Sequence, residues 1–183
     1  MKTIQLPSES DWIAQAKKGD PIAFRHLVQT HQFAVRRTVL GMMGDLDEVD
    51  DIAQEVFIRF YKGLSKYRAE AKLSTYLHRI AINLCLDALK RNRRKLQQQS
   101  ELKEDGVWQL NAENPGKQSD LRDLLTKALQ RLEPDFRTVV VLRLVQGYSI
   151  KECAQLLKIP EGTVASRLTR GQQKLRVWLN ENA

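Results

Sequence analysis

The chain is poor in the residues that build cross-links, metal sites and chain breaks. It carries two cysteines, Cys85 and Cys153, and three histidines among 183 residues. No CxxC pair or His/Cys cluster occurs, which argues against structural zinc and fits a reducing compartment. Neither a metal nor a cofactor is expected. Phosphate loops, nucleophile motifs and paired catalytic carboxylates are also missing, so an enzyme is not expected. No apolar run approaches the roughly 20 residues of a membrane span. The opening segment, MKTIQLPSES, lacks a signal-peptide core. A cytoplasmic protein with no membrane contact of its own is expected. Nine glycines and five prolines leave long stretches unbroken, and helical periods fill them. The expected fold is all-α: two small helical domains joined by a flexible linker, the C-terminal one a helix-turn-helix. No internal repeat is found.

What is present is positive charge. Thirty Lys and Arg against 22 Asp and Glu give a net charge of +8. That balance favours a polyanionic partner. The first domain is placed at residues 1–95. Ser8 to Lys18 reads as a short helix closed by Gly19, and Asp20-Pro21 as the N-cap and first residue of the next. That second helix runs through Phe24, Leu27, Val28, His31, Val35 and Leu40 to Gly44, with His31 as a packing residue. A third begins in the acidic run DLDEVDD, where the helix dipole favours carboxylates. Ile52, Val56, Phe60 and Leu64 form its buried stripe. Beside them lie Asp51, Gln54, Glu55, Ile58 and Arg59, a mixed surface that suits a partner site as well as a solvated face.

Ser65 to Leu73 breaks the period and reads as a loop, with Ser74 or Thr75 capping a fourth helix. Leu77, Ile80, Ala81, Leu84, Ala88 and Leu89 supply the core face of that helix. Tyr76, Arg79, Asn83, Asp87 and Lys90 line the opposite one, which runs into the basic cluster Lys90, Arg91, Arg93, Arg94 and Lys95. An aromatic, an amide and cations along one face suit nucleic-acid backbone and unstacked bases. Residues 96–118 are polar, carry the turn signal Asn114-Pro115-Gly116, and are expected to be the linker. Trp108 within it suits either docking on a partner or folding back on its own domain, the second being the favoured reading.

The second domain is placed at residues 119–183. Ser119 caps a helix from Asp120 to Leu132, and Pro134 opens another that ends at Gly147. The stretch from Ser149 to Leu179 then shows two helices around a tight turn. Ser149 and Glu152 form a capping box; Lys158, Ile159 and Pro160 interrupt the period; Val164, Leu168, Leu175 and Trp178 restore it. Cys153 falls on the core face. The second helix carries a basic, hydroxyl-rich outer face, as a recognition helix in a major groove requires. Glu161, Thr163, Ser166, Arg167 and Arg170 are the candidates for groove contact, with Lys174 on phosphate. The competing reading is a solvated face on an ordinary helical hairpin.

These parts together resemble a bacterial sigma factor of the extracytoplasmic-function (ECF) group in the sigma-70 family, over nearly the whole chain. The core-binding segment of that family is similar to DIAQEVFIRFY from Asp51. Its promoter-melting segment is similar to KYRAEA from Lys66 and LHRIAIN from Leu77. Its C-terminal domain is similar to LEPDFRTVVVLR from Leu132 and IPEGTVASRL from Ile159. The resemblance implies a transcription-initiation factor that binds core RNA polymerase and promoter DNA, both as duplex and as melted strand. It implies an anti-sigma factor as a further partner. By the same analogy Asp51, Gln54, Glu55, Ile58 and Arg59 meet the polymerase. Tyr67, Arg68, Lys72, Tyr76, Arg79, Asn83, Arg91, Arg93 and Arg94 hold the minus-ten element, and the recognition helix reads the minus-thirty-five element. Ala69 stands where the family often has Gly, and Tyr76 where it often has Trp. Two rival readings are a two-component-style regulator, which would need a receiver domain that residues 1–95 do not show, and an adaptor that keeps the fold but melts no DNA.

Overall fold

The computed structural model describes residues 7–44, 46–101 and 120–182. Trp108, the Asn114–Gly116 turn and the Ser119 cap fall outside them. The described residues form only helices and turns. In order these are α1 (Glu9–Lys17), α2 (Pro21–Met43), α3 (Leu46–Gly63), a 3-10 turn (Leu64–Lys66), α4 (Leu73–Glu101), α5 (Asp120–Gln130), α6 (Pro134–Val140), a π-helical segment (Val141–Val145), α7 (Ile150–Leu157) and α8 (Glu161–Asn182).

The expected punctuation holds. Ser8 caps α1 in a reciprocal box with Asp11, and Asp20 caps α2 through the amides of Ile22 and Ala23 with Pro21 in the first turn. Gly19 and Gly44 adopt φ of +91° and +76°, the left-handed geometry that glycine reaches without a Cβ clash. Of the α3 stripe, Val56 and Phe60 are at 0% exposure and Leu64 at 3%, while Ile52 is half-buried against the core. Helix α3 packs on α2 and α4. His31 is buried, with Nε2 2.9 Å from Glu9 Oε1.

Three boundaries differ from the sequence reading. Helix α4 starts at Leu73, so neither Ser74 nor Thr75 is its cap; the Tyr76 amide donates to the Lys72 carbonyl. Leu73 is 1% exposed, and drawing it into the first turn buries a full leucine side chain, about 1.5–3 kcal/mol. At its other end α4 passes residue 95 and continues to Glu101, because Leu96, Gln97 and Gln98 are all good helix formers. The helix opened by Pro134 widens into a π turn, with the Gln146 amide donating to the Val141 carbonyl five residues back. The turn buries Val141 and Leu142 while leaving Leu144 54% exposed.

Helices α1 to α4 form one unit and α5 to α8 a second, and the two units touch. Their apolar interiors form one cluster, and Val141 of the second unit lies against Gly41 of α2. Polar contacts cross the same seam. Arg137, buried on α6, donates to the Met42 carbonyl at 2.5 Å and to the Gln130 side chain at 2.6 Å. It also donates to the Gln130 and Leu132 carbonyls. Gln146 Nε2 reaches the Ala34 carbonyl at 3.3 Å. Burial pulls the Arg137 guanidinium down to about 10, which still leaves it charged at neutral pH.

Candidate nucleic-acid interface

Three surfaces carry the candidate residues. On α3, Asp51, Gln54, Ile58 and Arg59 are exposed and Glu55 is half-buried. Arg59 Nε donates to Glu55 Oε1 at 2.9 Å, one turn apart. Ile58 is an exposed apolar side chain among charges, at 39%. The neighbouring acids are structural. Asp50 accepts from Arg36 on α2 at 2.8 Å, and Glu48 accepts from Asn92 on α4 at 3.2 Å. The Arg36 hydrogen bond holds the Asp50 carboxyl below its usual range. The acidic run thus divides: Glu48 and Asp50 tie α3 down, and Asp51 faces solvent.

The second surface is the loop before α4 together with the outer face of α4. The loop is pinned at both ends, by Tyr67 and by Leu73. Tyr67 is 6% exposed. Its ring packs on Phe60 and Tyr76, with the Tyr76 centroid 5.0 Å away. Its hydroxyl donates to the Ala71 carbonyl at 2.6 Å, and its own carbonyl accepts from Lys17 Nζ at 2.5 Å. Burial, with the nearby Glu9 charge, raises the phenol above its ordinary value. Of the residues assigned to the minus-ten strand, Tyr67 therefore offers no free ring face; it braces the loop. Arg68, Ala69, Glu70, Ala71 and Lys72 stand out between the pins, all exposed. Ala69 has φ +56°, a left-handed conformation that costs a residue with a Cβ about 1 kcal/mol.

Along α4, Tyr76 and Arg79 are half-buried, whereas Asn83, Asp87, Lys90, Arg91, Arg93 and Arg94 are exposed. Tyr76 is backed by Phe60 at 6.2 Å. From Tyr76 to Arg94 is five helical turns, a stripe roughly 27 Å long. It presents an aromatic edge, an amide and then cations.

The third surface is the helix-turn-helix. The capping box is formed: the Ser149 amide donates to Glu152 Oε2 at 2.8 Å and the Glu152 amide donates to Ser149 Oγ at 3.2 Å. The same bonds hold the Glu152 carboxyl below its usual range. Lys158 closes α7 at φ +55°, the position where the chain turns into α8. Helix α8 seats Val164 and Gly171 in the core; a Cβ on Gly171 would fall 2.8 Å from Val140 Cγ2, so only glycine lets α8 lie this close to α6.

That seating sets what α8 shows. Arg167 donates to Asp135, and Lys174 Nζ donates to Glu133 Oε1 at 2.7 Å while lying 5.4 Å above the Phe136 ring. The first turn of α6 thus holds both cations. The Lys174 bond pulls the Glu133 carboxyl down. Glu161, Ser166 and Arg170 are exposed and Thr163 is half-buried. Thr169 and Gln173 also face outward, and the sequence reading passed over them. Thr169 lies three residues after Ser166 and Gln173 three after Arg170, and that helical offset was the available signal.

No group of three or more His, Cys, Asp or Glu side chains gathers among the described residues. No described helix is long and apolar enough to cross a membrane.

Comparison with known proteins agrees with this geometry. Residues 27–95 match the family described as Sigma-70 region 2, and residues 122–175 the family described as Sigma-70, region 4. The ECF RNA polymerase sigma factor SigW of Bacillus subtilis is 32% identical over 181 residues, covering 92% of this chain and 95% of that protein. Two solved folds are similar. One is CnrH in complex with the cytosolic domain of CnrY, with TM-score 0.69, 24% identity, and 94% and 97% of the two chains covered. The other is the sigma factor RpoE in complex with the anti-sigma factor NepR from Bartonella quintana, with TM-score 0.69, 21% identity, and 87% and 98% covered.

Proposed function

The chain belongs to the sigma-70 family, in its ECF group, and from that premise we propose how its surfaces divide the work. As a sigma factor it binds core RNA polymerase, directs it to promoters and promotes opening of the minus-ten element. Bond-forming chemistry belongs to the polymerase. The α3 face of Asp51, Gln54, Glu55, Ile58 and Arg59 meets the polymerase. The Arg68–Lys72 loop, with Tyr76, Arg79 and Asn83, takes the melted strand, and Arg91, Arg93 and Arg94 neutralise its phosphates. Helix α8 reads the minus-thirty-five duplex. Residues 1–95 and 119–183 are the two functional domains. The chain acts in the cytoplasm and makes no membrane contact of its own.

The observation that carries the minus-ten assignment is the pinned loop. Taking bases out of the duplex costs a few kcal/mol, offset by stacking and by hydrogen bonds to the freed edges. A receiving surface works best when it is already ordered. Tyr67 and Leu73 supply that order, and five exposed residues between them supply the contacts. An anti-sigma factor is the regulatory partner, as the RpoE–NepR complex illustrates for a protein of this fold.

The test is transcription of fragmented genomic DNA by core RNA polymerase with and without the protein, mapping the RNA starts. New starts sharing two upstream motifs are expected. Binding to DNA without new starts would overturn the reading.

A further inference from the structure

Helix α1 lies ahead of the stretch that matches Sigma-70 region 2, which begins at residue 27. It is nonetheless built into the first unit. Ile13 and Ala16 are buried, and Trp12 stacks on His26 of α2 with ring centroids 4.4 Å apart. Glu9 Oε1 lies 2.9 Å from Nε2 of buried His31. Docked in this way, α1 carries its last residue, Lys17, to the base of the loop assigned to the melted strand.

There Lys17 Nζ donates to the Tyr67 carbonyl at 2.5 Å and stands over the same residue's ring, 5.9 Å from its centroid. The ammonium thus meets Tyr67 twice, through a charge-assisted hydrogen bond and through the ring face. Tyr67 closes the 3-10 turn in an extended conformation, ψ 118°, and the peptide that Lys17 holds is the one that leads into Arg68. On the far side the Tyr67 hydroxyl donates to the Ala71 carbonyl at 2.6 Å. Arg68, Ala69 and Glu70 form the exposed tip between these two held carbonyls, with Ala69 at φ +56°.

We infer that Lys17 is a positioning residue for minus-ten recognition: from outside region 2 it fixes the direction in which the Arg68–Glu70 tip leaves Tyr67, and so which base the tip accepts. The inference rests on the assignment of this loop to the melted strand. The left-handed region is disfavoured for alanine, so the tip keeps its shape only while its surroundings hold it. The Tyr67 hydroxyl holds one end. At the other end water would satisfy the Tyr67 carbonyl nearly as well in energy, but water would not direct it. A cation anchored on a packed helix does both. Lysine suits the place, since its apolar stem spans from the end of α1 while its compact ammonium donates.

Lys17→Met keeps the stem and removes the donor; Lys17→Arg keeps a cation that can donate. The probe is a fork-junction DNA whose single-stranded arm carries the minus-ten motif recovered from the mapped starts, bound by the full chain on core polymerase and compared with each single-base change. Lys17→Met is expected to lower the preference for the motif over its variants by about fivefold, the worth of roughly one hydrogen bond. Core polymerase affinity should stay within about twofold, and Lys17→Arg should restore most of the preference. The free chain supplies a second readout that needs no DNA. Among first cuts by trypsin, Lys17→Met should speed cleavage after Arg68 several-fold and leave cleavage after Arg79, inside α4, unchanged, because a general loss of stability would speed both. Faster cleavage after Arg68 with an unchanged base preference would overturn the inference and leave the strand assignment standing. Unchanged cleavage after Arg68 would overturn it as well. A wild-type holoenzyme that binds the motif and its variants alike would overturn the strand assignment, and the inference with it.

Discussion

The hydroxyl of Tyr148 meets Nδ1 of His78 across 2.6 Å of a buried seam, joining residues 70 positions apart. The rings cross edge to face at 5.4 Å. Buried there, His78 is neutral at neutral pH. Burial pushes its pKa down to about 4 from an ordinary 6.5, and the charges of His31 and Arg37 add to the effect.

The sign of the resulting pH dependence follows. Between about 4 and 6.5 the unfolded chain binds a proton at His78 that the folded chain does not. Stability therefore rises with pH across that window. It is complete above 6.5 and is lost as pH falls toward 4, by about 3 kcal/mol in all. Denaturant unfolding at pH 7.5 and pH 5 should show a drop of about 2 kcal/mol attributable to this group. His78→Gln keeps a polar partner for Tyr148 and cannot titrate, so its drop should be smaller by that amount. Equal drops in the two proteins would refute the assignment.

Ala69 and Lys158 are the two described non-glycine residues held at positive φ, +56° and +55°. Each carries a left-handed penalty of about 1 kcal/mol that glycine would not. Lys158→Gly should raise the unfolding free energy by up to about 1 kcal/mol, less the added chain entropy of glycine. Ala69→Gly should stabilise by less, because the same freedom loosens the loop. Its clearer effect should be on promoter opening, with the lifetime of the open complex shortened while polymerase affinity is kept. Thermal melts and open-complex decay in a competitor chase would check the two effects separately.

Asn83 is exposed on α4, one turn beyond Arg79 and remote from the α3 face. Asn83→Ala removes an amide without touching the core. Polymerase affinity should stay within twofold, and the rate of promoter opening should fall several-fold, the loss of one or two hydrogen bonds of about 1 kcal/mol each. Permanganate footprinting over time reads the opening. An unchanged rate would remove Asn83 from the strand-holding set.

The parts that were legible in the sequence are those fixed by neighbours along the chain. Ser149 and Glu152 cap each other within four residues, and Gly19 and Gly44 stop helices locally. Val56 and Phe60 announce their face by period alone. What could not be read depends on distant groups. Arg137 looks like a surface cation in DFRTVV, yet it is buried, with its N–H groups donating to the Met42 carbonyl, 95 residues away, and to the Gln130 and Leu132 carbonyls. Tyr67 looks like an available aromatic, but the Phe60 and Tyr76 rings draw it in. The π turn at Val141 has no period of its own, and it lies against a glycine of the other unit, Gly41.

The two arginines of α8 should separate by the partners they already have. Arg167 is held by Asp135, with its side chain 28% exposed, while Arg170 is exposed on the outward face beside Ser166 and Thr169. An exposed ion pair contributes at most about 1 kcal/mol, so Asp135 orients Arg167 without committing it, and a phosphate can compete for the guanidinium. Arg170 has the freer path to base edges. Arg170→Ala should weaken binding to a minus-thirty-five duplex by about 1–3 kcal/mol and relax base preference at one position. Arg167→Ala should weaken binding on all sequences alike and lower the salt dependence by about one phosphate contact. Binding isotherms over a salt series, on the preferred duplex and on each single-base variant, distinguish the two. If Arg167→Ala alone relaxed base preference, the roles would be reversed, and Asp135 would be the residue that aims the reading side chain.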